Sequence, residues 1–227
     1  MLQLETHKNN IDNLFAITDL TEVETQSIID CLRQFDCPKY LEIGVYFGGT
    51  FVKILNYLKN NKSSYTCVGV DLFEDIINEV DNYNNRFKPG IESQTHVVLR
   101  LPHEIEGGKL NTCVKNELKE KLLNNGCLNF ELVKGYSDSV LPTLNQKFDV
   151  MFIDGNHTYV QALKDFNNCY NLSKIGSYFI FHNTTEKETR DAYHDGGPYK
   201  VCEELKSDKR LEYIGMFDGT KIFKRII

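Results

Sequence analysis

Two short stretches of the sequence carry side chains that can move protons or bind cations. In "FDVMFIDGNHTY", Asp154 ends an apolar run and His157 follows three residues later. In "SYFIFHNTT", His182 and Asn183 end a second apolar run. Parallel strands of an open sheet present their carboxyl ends at one edge, where such sheets bind substrates. We therefore expect these four side chains to meet at that edge if the two strands are neighbours.

This combination of side chains suits chemistry on a hydroxyl group, which is a poor acid in an alcohol or a sugar. An imidazole can accept the proton that the hydroxyl must lose. Asp, His and Asn can also bind a divalent cation, which lowers the pKa of a coordinated hydroxyl. We predict that Asp154, His182 and Asn183 converge on one cation and that His157 is the base. With one carboxylate and one imidazole, this set suits Mn²⁺ better than Mg²⁺.

A purely structural interpretation of the same residues stays open. Asp154 could simply end a strand in a turn, and Asn183 with Thr184 could cap a helix. His157 could likewise cap a helix or face solvent.

A glycine-rich turn in "KYLEIGVYFGGT" predicts a cofactor site, because strand, glycine turn and helix in this order hold nucleotides in many α/β proteins. The dinucleotide pattern G-x-G-x-x-G is broken, since Tyr46 replaces the middle glycine. Glu42 would place negative charge near a pyrophosphate, whereas S-adenosylmethionine has no phosphate and carries cationic sulfonium and ammonium groups. Asp71, at the end of a second apolar run, can accept both hydroxyls of a ribose. These residues favour S-adenosylmethionine and leave an NAD-linked oxidoreductase as the alternative.

The stretch "LEIGVYFGGT" resembles the cofactor motif of class I S-adenosylmethionine-dependent methyltransferases of the catechol O-methyltransferase type. The pattern "IDGxHxY" with a later His-Asn pair is similar to small bacterial methyltransferases and to metal-assisted enzymes related to the macrocin O-methyltransferases. The resemblance runs from about Lys39 to the C-terminus and implies O-methylation of a small-molecule or sugar hydroxyl. The cofactor-binding residues that it implies are Glu42, Gly44, Tyr46, Gly48, Thr50, Asp71, Tyr136, Ser137, Asp138 and Asp154. Among them, Tyr136, Ser137 and Asp138 fall where the resemblance implies that the adenine is held.

The same resemblance implies that Asp154, His182 and Asn183 bind magnesium and that His157, beside Asp154, is the catalytic base. The chain departs from the pattern at the His-Asn pair, where the relatives have a carboxylate in place of the histidine or have His-Asp. Fewer carboxylates weaken Mg²⁺ binding. A further alternative is therefore an S-adenosylmethionine-binding protein that has lost catalysis.

The elements that must position these residues alternate along the chain. Five apolar runs alternate with helical patterns, which predicts a parallel sheet covered on both faces. The last two strands flank Asp218-Gly219, a favoured hairpin turn. We predict an α/β, Rossmann-like class I methyltransferase fold with a mainly parallel seven-stranded sheet and a C-terminal antiparallel hairpin. Near the N-terminus, Thr21 and Glu24 predict a capping box that opens a helix with Val23 and Ile28 on its apolar face.

Length and composition predict one domain over residues 1–227, with an N-terminal helical segment over 1–36 and an insertion over 74–128 that could act as a lid. The formal charge of −6 argues against a nucleic-acid or membrane-surface partner. The N-terminus does not look like a signal peptide, no apolar run reaches the ~20 residues of a membrane span, and the seven cysteines are scattered. We therefore expect a cytoplasmic protein with a small-molecule or sugar acceptor, and leave homo-oligomerisation open. The acceptor determinants are expected in 74–128 and 186–198.

Overall fold

The computed structural model describes residues 18–73, 114–187 and 196–227. Within these ranges the elements are α1 (Glu22–Arg33), β1 (Lys39–Ile43), α2 (Gly49–Asn61), β2 (Thr66–Asp71), α3 (Val114–Asn124), β3 (Phe130–Lys134), α4 (Ser137–Val140), a 3₁₀ turn (Leu141–Thr143), β4 (Phe148–Ile153), α5 (Tyr159–Asn171), β5 (Ser173–Phe181), α6 (Gly197–Leu205), β6 (Leu211–Phe217) and β7 (Thr220–Arg225).

The strands form one sheet in the order β3-β2-β1-β4-β5-β7-β6. Neighbours from β3 to β5 are parallel, while β7 is antiparallel to β5 and to β6. The chain moves outward from β1 to β3 and then returns to β4 on the other side of β1. The strand order therefore reverses between β1 and β4, which is where open α/β sheets bind ligands. The predicted Rossmann-like sheet with a C-terminal antiparallel hairpin is confirmed.

Helices cover both faces of the sheet and leave its central strands without contact with water. On one face, α1, α2 and α3 bury Ile28, Phe51 and Leu118. On the other face, α5 and α6 bury Phe166 and Val201. β4 is buried at all its residues, which explains why its sequence is a continuous apolar run rather than an alternating one. None of the helices in the described ranges is long and apolar enough to cross a membrane.

The first helix begins as predicted, with one error. Thr21 Oγ1 accepts a hydrogen bond from the Glu24 N–H, and Glu24 Oε2 accepts one from the Thr21 N–H, so the capping box is present. Ile28 is fully buried, but Val23 is 51% exposed. Five residues turn a helix by about 140° from its starting direction. Val23 therefore lies on a different side of α1 from Ile28, and its predicted place on the apolar face is wrong.

The predicted insertion over residues 74–128 contains a core helix in its last part. Leu118 and Leu122 of α3 are fully buried. Leu118 packs so closely on the glycine turn that a Cβ added at Gly48 would lie 2.6 Å from its Cδ1. This helix packs against the glycine turn, so its buried residues belong to the core. Residues 74–113 lie outside the described residues.

Candidate active site at the carboxyl edge of the sheet

The strand register places four neighbouring strand ends at one level. Ile43 of β1 pairs with Val70 of β2 and with Ile153 of β4, which in turn pairs with the last residue of β5. Each of these positions is followed by a residue at the carboxyl edge of the sheet. The row that results is Asp71, Gly44, Asp154 and His182.

Asp154 lies between two imidazoles. Its Oδ1 is 3.1 Å from His157 Nε2 and 3.0 Å from His182 Nδ1. The structure thus brings together Asp154, His157 and His182, as the sequence predicted. The helix-capping alternative for His157 is wrong, because the N-cap of α5 is Thr158, whose Oγ1 accepts a hydrogen bond from the Gln161 N–H at 3.4 Å.

The second nitrogen of His182 faces another buried carboxylate. Its Nε2 lies 3.7 Å from Glu24 Oε1. That oxygen also accepts hydrogen bonds from the Gly219 N–H at 2.9 Å and from the Thr220 hydroxyl at 3.0 Å. Glu24 and His182 are only 2% and 6% exposed. The cap of the first helix and the terminal hairpin therefore meet behind Asp154.

The charges of this group follow from its geometry. Burial alone would lower the pKa of His182, but the carboxylates of Asp154 and Glu24 raise it to about 9. Burial would raise the pKa of Asp154, but the two imidazoles hold it well below its ordinary value. At neutral pH the pair is therefore an imidazolium beside an ionised carboxylate.

The predicted cation site does not fit this arrangement. Nδ1 of His182 faces the Asp154 carboxylate and its Nε2 faces that of Glu24, so neither nitrogen is directed at a point shared with Asn183. Asn183 makes no hydrogen bond to Asp154 or His182 within the described part of the chain. The described residues also contain no group of three or more His, Cys, Asp or Glu side chains that could hold a metal ion. The predicted metal ligands thus gain no support from their positions.

The glycine turn requires glycine for steric reasons. Gly44 has a φ of +85°, and a Cβ added there would lie 2.0 Å from the carbonyl oxygen of Asp154. Only a residue without a side chain allows β1 and β4 to approach this closely at their ends. Gly48 also has a left-handed φ, of +89°. Thr50, in the first turn of α2, is buried and its hydroxyl lies 2.8 Å from that of Thr18.

Asp71 accepts hydrogen bonds from two backbone segments, the turn after β1 and the residues after β2. Its Oδ2 accepts the Tyr46 N–H at 2.9 Å, and its Oδ1 accepts the Phe73 N–H at 2.8 Å. Tyr46 and Phe73 have φ values of 51° and 44°, a conformation that costs a bulky residue about 1–3 kcal/mol. Burial raises the pKa of Asp71, and these backbone hydrogen bonds counteract that rise. The backbone N–H groups of Val45 and Leu72 also interact with this carboxylate and lower its pKa.

Glu42 lies beneath the turn, inside the sheet. It is fully buried, and its Oε2 accepts a hydrogen bond from the Tyr40 hydroxyl at 2.7 Å. Its Oε1 has no hydrogen-bond partner among the described residues. Burial raises the pKa of Glu42 well above its ordinary value. Sequence reasoning missed Tyr40, although its place two residues before Glu42 on one strand puts both side chains on the same face.

The three residues predicted to hold an adenine ring follow β3. Tyr136 is 69% exposed. The Ser137 hydroxyl donates to Asp165 Oδ1 at 2.6 Å, and Asp138 accepts from Gln161 Nε2 at 3.0 Å. Sequence reasoning missed Gln161 and Asp165, although their i, i+4 spacing places both on one side of α5.

The last helix is fitted onto the loop that carries His157. The Gly197 N–H donates to the His157 carbonyl oxygen at 3.1 Å. A Cβ added at Gly197 would lie 2.4 Å from that oxygen and 2.4 Å from the Tyr159 nitrogen. The start of α6 therefore fixes the position of His157 through backbone contact. The sequence "GGPYK" shows a helix start but not what the helix packs against.

Three features together define a Rossmann-like methyltransferase fold. They are the strand order, the glycine turn at the switch point between β1 and β4 where that order reverses, and the acidic residue at the end of β2. Solved structures share this fold. The O-methyltransferase TomG from Streptomyces achromogenes, solved in complex with S-adenosylmethionine, is 16% identical with a TM-score of 0.63, and 92% of this chain and 82% of that chain are covered. An O-methyltransferase from Bacillus cereus, solved in complex with S-adenosylhomocysteine, is 15% identical with a TM-score of 0.59. The match covers 98% of this chain and 89% of that chain.

The family follows from the sequence itself. The methyltransferase domain family matches residues 41–184, which is more than half of the chain. The protein belongs to this family, and the predicted class is confirmed. An uncharacterized protein of Acanthamoeba polyphaga mimivirus is 26% identical over 147 residues, which cover 63% of this chain and 49% of that protein. The matched region therefore spans about half the length of this curated relative.

Proposed function

We propose that the protein transfers a methyl group from S-adenosylmethionine to a hydroxyl of a small molecule or sugar. The observation that carries this proposal is the row of strand ends at the switch point, with Asp71, Gly44 and Asp154 at one level. Family membership supports methyl transfer. The S-adenosylmethionine and S-adenosylhomocysteine bound to two proteins of the same fold support the donor.

The residues present fit this donor. Gly44 lets the backbone after β1 lie directly against that of Asp154, where a Cβ would not fit. We assign the ribose hydroxyls to Asp71, at the end of β2. Glu42 has a buried oxygen without a hydrogen-bond partner in the described residues, and the approach of a cation would favour its ionised form. A dinucleotide would instead bring a pyrophosphate toward three acidic side chains.

The acceptor chemistry is assigned to His157 and Asp154. When bound, S-adenosylmethionine supplies a methyl group on a cationic sulfur, which leaves as a neutral sulfide. His157 takes the proton that the acceptor hydroxyl loses as its oxygen bonds to the methyl carbon. Asp154, at 3.1 Å from His157 Nε2, orients the ring and stabilises the imidazolium that forms. Much of the rate comes from holding the methyl carbon and the oxygen in line.

Assistance by Mg²⁺ or Mn²⁺ is the part of the original prediction that the donor set does not favour. The positive charge beside Asp154 is supplied by the imidazolium of His182. No step proposed here passes through a metal ion. We therefore expect full activity in EDTA. A loss in EDTA that added Mn²⁺ reverses would restore the metal site at Asp154, His182 and Asn183.

Two measurements test the proposal. Isothermal titration calorimetry should detect binding of S-adenosylmethionine and none of NAD⁺, whereas binding of NAD⁺ alone would overturn the donor. Transfer of a labelled methyl group should then be measured on a panel of sugars and phenols. Tight binding of the donor with no transfer to any acceptor would favour the alternative of a binding protein without catalysis. Residues 188–195, where part of the acceptor specificity is predicted, lie outside the described residues.

The remaining expectations also belong to the proposal. We propose a cytoplasmic protein that acts on a small acceptor without nucleic-acid or membrane partners. Its oligomeric state would be measured by light scattering, with and without S-adenosylhomocysteine.

A further inference from the structure

A buried carboxylate on α5 lies directly behind the loop after β3. Asp165 is 1% exposed. Its Oδ1 accepts hydrogen bonds from the Ser137 hydroxyl at 2.6 Å and from Gln161 Nε2 at 2.9 Å. The same Gln161 nitrogen lies 3.1 Å from Ser137 Oγ and 3.0 Å from Asp138 Oδ1. One helix face therefore holds both polar residues of the loop.

The other oxygen of Asp165 faces a second loop. Its Oδ2 has no hydrogen-bond partner among the described residues. A Cβ added at Gly155 would lie 3.3 Å from this oxygen. Since Gly155 follows Asp154, the carboxylate of Asp165 lies close to the loop after β4, while its hydrogen bond holds the loop after β3.

The cost of this carboxylate indicates a role other than stability. Burying a polar atom without a hydrogen bond is unfavourable. Burial raises the pKa of Asp165, as expected for a carboxyl group with few compensating partners. An apolar side chain of the same size would avoid that cost at a position surrounded by buried residues such as Ala162 and Phe166. What an apolar side chain could not do is accept the Ser137 hydrogen bond.

We propose that Asp165 is a positioning residue that fixes Ser137 for recognition of the adenine ring of the methyl donor. This inference rests on the proposed function, because it requires S-adenosylmethionine as the donor, and on the resemblance that implies adenine at the loop after β3. Asp165 touches no part of the donor itself. Its Oδ1 accepts the hydrogen bond of the Ser137 hydroxyl and so sets the orientation of that hydroxyl.

Two substitutions at Asp165 separate positioning from folding. Asp165→Leu removes the hydrogen-bond acceptor and puts an apolar side chain of similar size in its place in the core. Asp165→Asn keeps an oxygen where Oδ1 stands and places its amide nitrogen where Oδ2 has no partner. We expect Asp165→Leu to weaken S-adenosylhomocysteine binding about tenfold and Asp165→Asn to restore it to within about twofold. Asn167→Ala, at an exposed position of the same helix, is the control and should bind like the wild type.

A comparison of two ligands isolates the adenine ring. S-inosylhomocysteine differs from S-adenosylhomocysteine in having an oxo group in place of the 6-amino group. Calorimetry on the wild type should show tighter binding of the adenosyl compound. Asp165→Leu should reduce this preference at least about fivefold, because a loop that has only lost stability would weaken both ligands equally.

The outcomes are distinct. If the wild type binds neither ligand, the proposed function fails together with this inference. If the wild type binds and Asp165→Leu keeps both the affinity and the preference, this inference alone is wrong. Should Asp165→Leu not fold, Gln161→Met is measured in the same way. That variant removes the second donor to Asp165 Oδ1, and an unchanged preference there would also overturn the inference.

Discussion

His157 lies in the loop between β4 and α5, and its Nε2 is 3.1 Å from Asp154 Oδ1. If it accepts the hydroxyl proton, His157→Ala should lower kcat about 10²–10⁴-fold. The affinity for S-adenosylmethionine should stay nearly the same, because the residues predicted to bind the donor, apart from Asp154, belong to or follow other strands. Steady-state kinetics and calorimetry on the same variant provide both values. An equal loss in both would show that His157 only maintains the shape of the pocket.

Asp71 has two roles that a single residue change removes together. Asp71→Ala should weaken S-adenosylmethionine binding by roughly 1–3 kcal/mol, because two ribose hydroxyls lose a charged acceptor. Tyr46 and Phe73 also lose the acceptor of their N–H groups, so the strained turn should relax. Calorimetry measures the affinity, and Asp208→Asn, at an exposed ion pair with Arg210, is the control. Unchanged affinity would remove Asp71 from the site.

At the level of elements, the contact between α6 and the His157 loop can be tested at one glycine. Gly197→Ala would place a methyl group 2.4 Å from the His157 carbonyl oxygen, so helix and loop must move apart. We expect kcat to fall at least about tenfold, since small displacements of a catalytic group are costly. Binding of S-adenosylmethionine should change much less.

The control for this helix is Lys200→Ala, at an exposed position of α6. It should leave both kcat and the melting temperature near their wild-type values. Wild-type kcat in Gly197→Ala would mean that the loop position does not depend on α6.

Much of this fold could be predicted from local sequence. Apolar runs that end at glycine or polar residues identify the strands. The residues that follow Ile43, Ile153 and Phe181 could therefore be placed at one edge of the sheet from the sequence alone. Contacts between side chains far apart in sequence could not be predicted in this way. The capping box is a sufficient reason for a glutamate at position 24. Nothing near Glu24 in the sequence indicates its contact with His182. The predicted metal site gained no support because the sequence does not show that His182 also faces the carboxylate of Glu24.

At the level of the whole molecule, the charge on His182 makes stability depend on pH. Its pKa is about 9 in the folded protein against 6.5 for an ordinary histidine. A raised folded-state pKa contributes stability that is fully present below about pH 6.5 and is lost as the pH rises through about 9. The free energy of unfolding, from urea titrations at pH 6, 7.5 and 9, should therefore decrease over this range. His182→Gln should show a smaller decrease, and equal slopes for the two proteins would contradict the assignment.

The hydrogen bond from Gly219 to Glu24 joins residues 195 positions apart. During synthesis, the first helix and the central strands leave the ribosome long before the terminal hairpin does. Until Gly219 and Thr220 emerge and pair with it, Glu24 has two fewer donors to hold it beside His182. A nascent chain can therefore have formed its donor cleft while the group around Asp154 is still incomplete. Competence for methyl transfer should be the last property that the growing chain acquires.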